Sequence, residues 1–217
     1  MINDAAQDRI ERGQALITAQ AFSVLLGGAY DRLEIAGSVR RGNAFVKDIE
    51  LVVLARHLAA FWARLDALVL NGTTRKAEYS YGSAAKTTTR WGQKYRGLVF
   101  EGARIEVFAA TPDNWGYIFW LRTGPGDANT FMMTRLKQTS LSVEDGQWYH
   151  AGQPLRIAEE ERLFELWGMP LVPPAERSEE TYRRLFRPGR VMSFPAAQAR
   201  GWVMTPQATE SQLSMFK

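Results

Sequence analysis

The sequence of 217 residues contains no cysteine and only two histidines, His57 and His150. The absence of cysteine excludes disulfides, thiolate zinc sites, iron-sulfur ligation and a cysteine nucleophile. Any bound metal is therefore expected to be a hard cation with oxygen ligands. No apolar run reaches the roughly 18 residues of a membrane span, and the first residues lack a signal-peptide core. We expect a cytoplasmic protein without a membrane segment.

Charge is nearly balanced over the chain but unevenly distributed. There are 27 Lys and Arg residues against 23 Asp and Glu residues, which gives a formal net charge of +4. Residues 177–200 alone hold six arginines and two glutamates, so the net charge of this stretch equals that of the whole chain. Such clustering indicates a surface for a polyanion, with a solvated basic tail as the alternative.

Hydrophobic spacing predicts an α+β fold in two parts. For the first part we expect helices in residues 5–26 and 59–70, strands at 33–36 and 48–54, and a β-hairpin of 94–100 and 103–110 that turns at Glu101-Gly102. For the second we expect helices at 115–121, 130–138 and 159–167, short strands within 141–157, and a helix near 178–186. Thr111-Pro112 marks the expected boundary, and residues after 178 are expected to extend from the compact body.

Three acidic residues belong to the predicted strands of the first part. Asp48 and Glu50 head the apolar run 51–54, and Glu106 interrupts a second apolar strand. Positions i and i+2 of a strand project to one face about 6.5–7 Å apart, a separation at which two carboxylates can share divalent ions. Carboxylate charge at the edge of a core also requires compensation, which a cation supplies. The pattern favours Mg²⁺, which prefers oxygen ligands and commonly binds substrate phosphates as well.

A candidate anion-binding turn precedes these acids. Gly37-Ser38 is followed by Arg40 and Arg41, ten to twelve residues before the acidic pair. Glycine allows close approach of the backbone, a helix N-terminus presents free N–H groups, and arginine adds a bidentate fork. Together with the acids, the turn indicates a substrate that carries phosphate groups.

The combined pattern resembles the nucleotidyltransferase signature of the family X, or polymerase beta-like, DNA polymerases. The matching segments are GSVRRG at 37–42, DIE at 48–50, RIE at 104–106, Thr123-Gly124 with Asn129, and LFELWGMPLVPPAERSE ending at residue 179. The likeness covers about residues 14 to 179. It implies a palm of mixed sheet with flanking helices at residues 1–112, a small α/β thumb at 113–178, and a basic extension at 179–217.

The resemblance also implies a role for each matching residue. Two Mg²⁺ or Mn²⁺ ions would be held by Asp48, Glu50 and Glu106, the last of which would help to activate a primer 3′-hydroxyl. Gly37, Ser38 and Arg41 would bind the triphosphate, with Arg40 and Arg104 in support, and Thr123, Gly124 and Asn129 would contact the incoming nucleotide. In-line attack on the α-phosphorus of a dNTP would then release pyrophosphate.

The chain departs from the family pattern in several places. Glu stands at two of the three acid positions where the polymerases have Asp, and some nucleotidyltransferases that modify small molecules, including kanamycin, share this arrangement. Leu121-Arg122 replaces an aromatic pair, and Met133 replaces the thumb arginine that contacts the template. Only 36 residues precede Gly37, so we expect a minimal two-domain form without the amino-terminal lyase domain that many members of the family have.

Contacts to DNA are expected from basic residues elsewhere in the sequence. The candidates are Lys94, Arg96, Arg183, Arg184 and Arg187, which would contact phosphates without reading sequence. At the end of the chain, Gln212, Leu213, Met215 and Phe216 resemble the peptide by which bacterial proteins dock on the sliding clamp. The apolar members of such a peptide would enter a groove on the partner.

The sequence predicts a template-directed DNA polymerase that fills gaps or extends primer ends. Two other hypotheses stay open. One is a nucleotidyltransferase that acts on a small molecule, a protein or an RNA end, and the other is a DNA-binding adaptor without catalytic activity.

Overall fold

The computed structural model describes residues 9–80 and 87–204. These residues form a mixed α+β protein that divides between Ala109 and Ala110 into two compact units. No helix in the described ranges is long and apolar enough to cross a membrane.

The first unit is built on a five-stranded mixed sheet. Its strands are β2 (Tyr30–Ile35), β4 (Ile49–Ala55), β5 (Arg75–Lys76), β8 (Tyr95–Phe100) and β9 (Ala103–Ala109), and their order in the sheet is β2-β4-β9-β8-β5. The central pair, β4 and β9, is parallel, and the other pairs are antiparallel. The predicted hairpin is confirmed, and it turns at Glu101 and Gly102, which both have positive φ angles.

Two helices, α1 (Arg12–Leu25) and α3 (Leu58–Leu70), share the core of the first unit with one face of this sheet. Alternate residues of the central strands, such as Leu51 and Val107, join this core. Because side chains alternate along a strand, Glu50 and Glu106 project to the opposite face. The alternation therefore separates the acids from the main apolar core.

Several short elements complete the first unit. They are α2 (Gly37–Arg40), the pair β1 (Ile10–Glu11) and β3 (Phe45–Val46), and the pair β6 (Glu78–Ser80) and β7 (Thr87–Thr89). The sequence patterns predicted none of the strands between residues 71 and 93, because these strands are too short and polar to show an alternation.

The second unit combines helices with a three-stranded antiparallel sheet. Its elements are α4 (Trp115–Thr123), α5 (Gly126–Leu136), β10 (Leu141–Glu144), β11 (Gln147–His150), β12 (Gln153–Leu155), α6 (Glu160–Leu166), α7 (Glu179–Leu185) and α8 (Phe194–Ala199). Tryptophans fill its core: Trp120 packs edge-on against Trp167 with ring centroids 4.9 Å apart, and donates a 2.9 Å hydrogen bond to the Tyr182 hydroxyl. Aromatic area of this size is a large source of stabilisation.

The expectation that residues after 178 extend from the compact body is wrong for residues 179–204. Tyr182, Phe186 and Trp202 all belong to the buried core of the second unit. The arginines of this stretch suggest a solvated tail, but its apolar residues recur at helical spacing and bury one face of α7.

Candidate functional site

The acidic residues meet at one place on the sheet of the first unit. Glu50 on β4 lies directly opposite Glu106 on β9 in the parallel register, so their backbones are about 4.8 Å apart. Asp48 comes immediately before β4, two residues from Glu50. All three side chains are partly buried. The register thus brings together two carboxylates that are 56 positions apart in the sequence.

The Gly37-Ser38 turn packs against this acidic group. The Ala36 backbone N–H donates a 2.8 Å hydrogen bond to the Glu50 carbonyl oxygen, which fixes the turn beside the strand. Gly37 has a φ of +62°, and a Cβ atom there would overlap the Glu50 Oε2 atom. A residue other than glycine would therefore be strained and would displace the carboxylate. Ser38 and Arg41 continue from this turn through the single turn of α2.

Asp48 and Glu106 lie close enough to influence each other electrostatically. Burial raises the pKa of Asp48 above its ordinary value of 3.8, and the neighbouring Glu106 carboxylate raises it further. Arg104, Lys47 and Arg41 lower the pKa of Asp48, but their combined effect is smaller. Ionised Asp48 is therefore under-compensated by the protein's own cations, a condition typical of sites that bind a further cation.

Tyr79 is a member of the site that the sequence patterns did not predict. Its hydroxyl donates a 3.0 Å hydrogen bond to Glu106 Oε1 and lies 2.7 Å from the Tyr95 hydroxyl. Gly97 pairs with Glu106 in the β8–β9 register, and a Cβ at Gly97 would overlap the Tyr79 hydroxyl. The missing side chain at Gly97 thus makes room for the phenol that orients Glu106. A glycine inside a predicted strand is the signal that indicates such an approach.

Cations and aromatic rings surround this hydrogen bond. The guanidinium groups of Arg90 and Arg104 lie 4.3 and 5.0 Å from the Tyr79 ring centroid. Burial raises the pKa of Tyr79 well above its usual range and that of Tyr95 to about 12. Both phenols are therefore neutral at physiological pH and able to donate hydrogen bonds.

The donor set suits a hard divalent cation in its chemistry. Asp48, Glu50 and Glu106 would supply oxygen ligands. Burial, and after it the Glu106 carboxylate, raises the pKa of Asp48. Within residues 9–80 and 87–204, however, no three acidic or histidine side chains are already arranged as a metal-binding group. The Glu106 carboxylate is instead oriented by Tyr79. To bind a metal ion, the carboxylates of Asp48, Glu50 and Glu106 would have to change their side-chain conformations, whereas the backbone already places the three residues close together.

Thr123, Gly124 and Asn129 form a second cluster, in the second unit. Gly124 ends α4, and the Asn129 side chain on α5 donates a 2.7 Å hydrogen bond to the Leu121 carbonyl oxygen. A Cβ at Gly124 would overlap Asn129 Oδ1, an atom that is buried without a hydrogen-bond partner in the described structure. Thr123 is fully buried. The asparagine therefore holds the Thr-Gly turn together.

The structure contradicts one candidate for DNA contact. Arg96 is 7% exposed and lies between the rings of Trp62 and Trp91, at 4.8 and 4.7 Å from their centroids. Its guanidinium donates 2.8 Å hydrogen bonds to the Trp62 carbonyl oxygen and to Asp66 Oδ1. Arg96 is a core residue because alternation along β8 turns it toward α3, away from solvent.

The other four basic residues that were predicted to contact DNA are exposed. Lys94 is exposed in the first unit, and Arg183, Arg184 and Arg187 are exposed on and just after α7. The predicted clamp-binding residues Gln212, Leu213, Met215 and Phe216 lie outside the described residues.

Neither a known protein-family model nor a curated protein matches this chain.

Proposed function

We propose that the chain is a metal-dependent nucleotidyltransferase of the family X DNA polymerase type. It would transfer a nucleotide from a dNTP to a primer 3′-hydroxyl and release pyrophosphate. The proposal is carried by one juxtaposition: Glu50 and Glu106 stand side by side on parallel strands, and the Gly37-Ser38 turn packs against Glu50. Acids and a phosphate-binding turn at one place are what this chemistry requires.

Different residues of the first unit would bind the triphosphate and accept the proton. The backbone at Gly37 and Ser38 and the guanidinium of Arg41 would hold the β- and γ-phosphates. The primer oxygen would attack the α-phosphorus, the bond from the α-phosphorus to the bridging oxygen would break, and pyrophosphate would leave. Glu106, which its bond to Tyr79 orients, would accept the proton of the 3′-hydroxyl.

Asp48, Glu50 and Glu106 would hold the divalent ions, for which Mg²⁺ and Mn²⁺ are the candidates. Bound ions would neutralise charge on both the attacking and the leaving oxygen. Two glutamates in place of aspartates lengthen the side chains, so the carboxylates reach further from the strands than those of the polymerases that the sequence resembles.

DNA is proposed as the substrate, rather than a small molecule, because of the second unit. Arg183, Arg184 and Arg187 are exposed there and would bind backbone phosphates. The clamp-like peptide at residues 212–216 supports the same assignment, since tethering to a clamp assists an enzyme that works along DNA. A dNTP-using enzyme of this kind would act in the cytoplasm.

The test is single-nucleotide extension by the full-length protein. A labelled gapped duplex is offered with each dNTP separately, in Mg²⁺ or Mn²⁺, and the products are separated by size. Addition only of the nucleotide complementary to the template base supports the proposal. Addition without regard to the template, or transfer to an acceptor other than DNA, would instead support a non-polymerase nucleotidyltransferase.

Two variants connect any activity to the site. Asp48→Asn should lower the extension rate by about three orders of magnitude, because the electrostatic stabilisation of the reaction depends on it. Asp31→Asn is the matched control, since Asp31 is an exposed aspartate of β2 paired with Arg56 at 2.9 Å. If the wild type itself shows no turnover and DNA binding is retained in Asp48→Asn, the adaptor hypothesis is the better account.

A further inference from the structure

A pair of adjoining pockets lies between α5 and α7 in the second unit. The larger, of about 550 Å³, is lined by Asp127, Thr130, Phe131, Thr134, Arg135 and Glu179. The smaller, of about 230 Å³, is lined by Phe131, Arg135, Gln138, Arg183, Phe186 and Pro188, and we call it the α5–α7 pocket. Phe131 and Arg135 line both pockets, so the two pockets adjoin. The larger pocket is also lined by two carboxylates, whereas the charged side chains of the smaller one are both arginines.

Two arginines converge on one aromatic ring at the α5–α7 pocket. The guanidinium carbons of Arg135 and Arg183 lie 5.3 and 4.9 Å from the centroid of Phe131. Two guanidinium groups that border one pocket favour the binding of an anion there. Both arginines line the smaller pocket, and so does the amide of Gln138, which can donate hydrogen bonds.

The local carboxylates neutralise only part of this charge. Glu179 pairs with Arg183, and it lines the larger pocket together with Asp127. No carboxylate lines the α5–α7 pocket, and none forms an ion pair with Arg135 among residues 9–80 and 87–204. Arg187 lies beside the same helix end, where it donates hydrogen bonds to the Arg183 and Phe186 carbonyl oxygens at 3.2 and 2.8 Å. The α5–α7 pocket therefore has an excess of positive charge.

This face of α5 differs from the one that the family resemblance assigns to the nucleotide. Asn129 and Phe131 are two residues apart, so their side chains point about 200° apart around the helix. Asn129 is turned inward, toward the Leu121 carbonyl oxygen, whereas Phe131 faces α7 and the two pockets. The pocket is thus separate from the proposed nucleotide contacts of α4 and α5.

We propose that the α5–α7 pocket binds a phosphate group of a nucleic-acid strand through Arg135 and Arg183. Planar guanidinium groups match the geometry of phosphate oxygens and form paired, charge-assisted hydrogen bonds. Arginines combined with an aromatic ring are typical of surfaces that bind single strands. This inference deepens the proposed function, because it names one discrete phosphate site where the sequence indicated only a basic stretch.

The test measures binding of a labelled single-stranded oligonucleotide by fluorescence anisotropy, over a range of salt concentrations and in EDTA so that catalysis is absent. Arg135→Gln combined with Arg183→Gln should weaken binding about tenfold at low salt. The slope of the logarithm of the binding constant against the logarithm of the salt concentration should become shallower by about one, the value for one phosphate contact. Thr134→Glu, which adds a carboxylate at an exposed position of the adjoining wall, should also weaken binding without removing either arginine. Oligonucleotides with and without a 5′-phosphate distinguish a terminal phosphate from a backbone phosphate.

Arg200→Gln is the matched control. Arg200 also pairs with a glutamate, Glu165, and also lies over an aromatic ring, 5.4 Å from the Trp202 centroid, but it lines neither pocket. Unchanged affinity and salt slope in the double variant, or an equal loss in Arg200→Gln, would overturn the proposal. Equal competition by polyglutamate would overturn the assignment to nucleic acid.

Failure of this site and failure of the proposed function are distinguishable. The anisotropy measurement in EDTA requires no turnover, and Asp31→Asn, at an exposed aspartate paired with Arg56, should leave it unchanged. If extension activity is absent but the arginine variants still weaken binding, the phosphate site stands and the catalytic proposal fails. If extension is template-directed but the arginine variants bind normally, the catalytic proposal stands and this one fails.

Discussion

In the first unit, Asp48, Glu50 and Glu106 lie close together at the sheet, and burial and the Glu106 carboxylate raise the pKa of Asp48. In the second unit, the buried Glu160 is paired with Arg177. The side chains of Arg177 and Glu160 are 0% and 5% exposed and are joined by a 2.7 Å bond. Arg177 also donates a 3.0 Å hydrogen bond to the Val172 carbonyl oxygen. The first unit thus holds two neighbouring carboxylates, Asp48 and Glu106, and the second unit holds a carboxylate paired with an arginine.

This difference separates charged residues that stabilise the fold from charged residues that are candidates for binding or catalysis. A buried pair with its partner in place maintains one arrangement of the surrounding chain. Convergent carboxylates cost stability in the absence of a cation, and a protein retains such a cost where binding or catalysis requires it. The contrast indicates a structural role for the Arg177–Glu160 pair, and the acids of the first unit are the residues to which the proposed chemistry belongs.

The largest expected effect comes from breaking the pair of the second unit. Arg177→Gln should lower the free energy of unfolding by about 3–5 kcal/mol, because it leaves the Glu160 carboxylate buried and uncompensated. Chemical denaturation followed by tryptophan fluorescence measures this loss, since Trp120, Trp148 and Trp167 lie in the same core. The double variant Arg177→Met with Glu160→Leu should recover most of the stability. A single variant as stable as the wild type would show that the pair has no structural role.

A smaller effect is expected from Tyr79→Phe, which removes the hydroxyl that orients Glu106. Loss of a group that positions a metal ligand typically costs about tenfold to a hundredfold in metal affinity or activity. We expect weaker Mn²⁺ binding, measured by electron paramagnetic resonance, and a lower kcat with little change in the KM for dNTP. Tyr30→Phe, in β2 of the same unit, serves as the control. Unchanged Mn²⁺ affinity and kcat would show that Tyr79 only fills space.

The smallest effect is a gain in stability from Asp48→Asn. Burial and the Glu106 charge raise the pKa of Asp48 in the folded protein, so its contribution to stability is greatest below its ordinary pKa of 3.8 and is lost as the pH rises through the folded value. At neutral pH the variant avoids this cost and should melt about 2–4 °C above the wild type. The difference should shrink as the pH falls toward 4, which thermal melting in a pH series measures.

Added Mg²⁺ gives this last comparison a second readout. A cation that binds the folded state raises the melting temperature, so Mg²⁺ should stabilise the wild type more than Asp48→Asn. The exposed Asp31→Asn variant should behave as the wild type in both measurements. A variant that is less stable than the wild type at neutral pH would contradict the assignment of uncompensated charge to Asp48.

The helices and strands with strong periodicity could be predicted from the sequence alone. Residues 59–70, 48–54 and 94–110 each contain an apolar pattern that only one kind of element satisfies, and the structure has α3, β4 and the β8–β9 hairpin there. The alternation of acid and apolar residues likewise placed Glu50 and Glu106 on the outer face of their strands. These features depend on neighbouring residues, which the sequence displays directly.

The composition and local order of the chain thus determined its strongly periodic helices and strands, the oxygen chemistry of its candidate metal ligands, and the position of Glu50 and Glu106 within their strands. Only the tertiary structure decided that Glu50 is opposite Glu106, that Tyr79 reaches Glu106 through the space left at Gly97, that Arg96 is buried between two tryptophans, and that α7 packs into the second unit. Strand register and long-range packing bring together residues far apart in the sequence. No local pattern encodes which of many charged or aromatic side chains will meet.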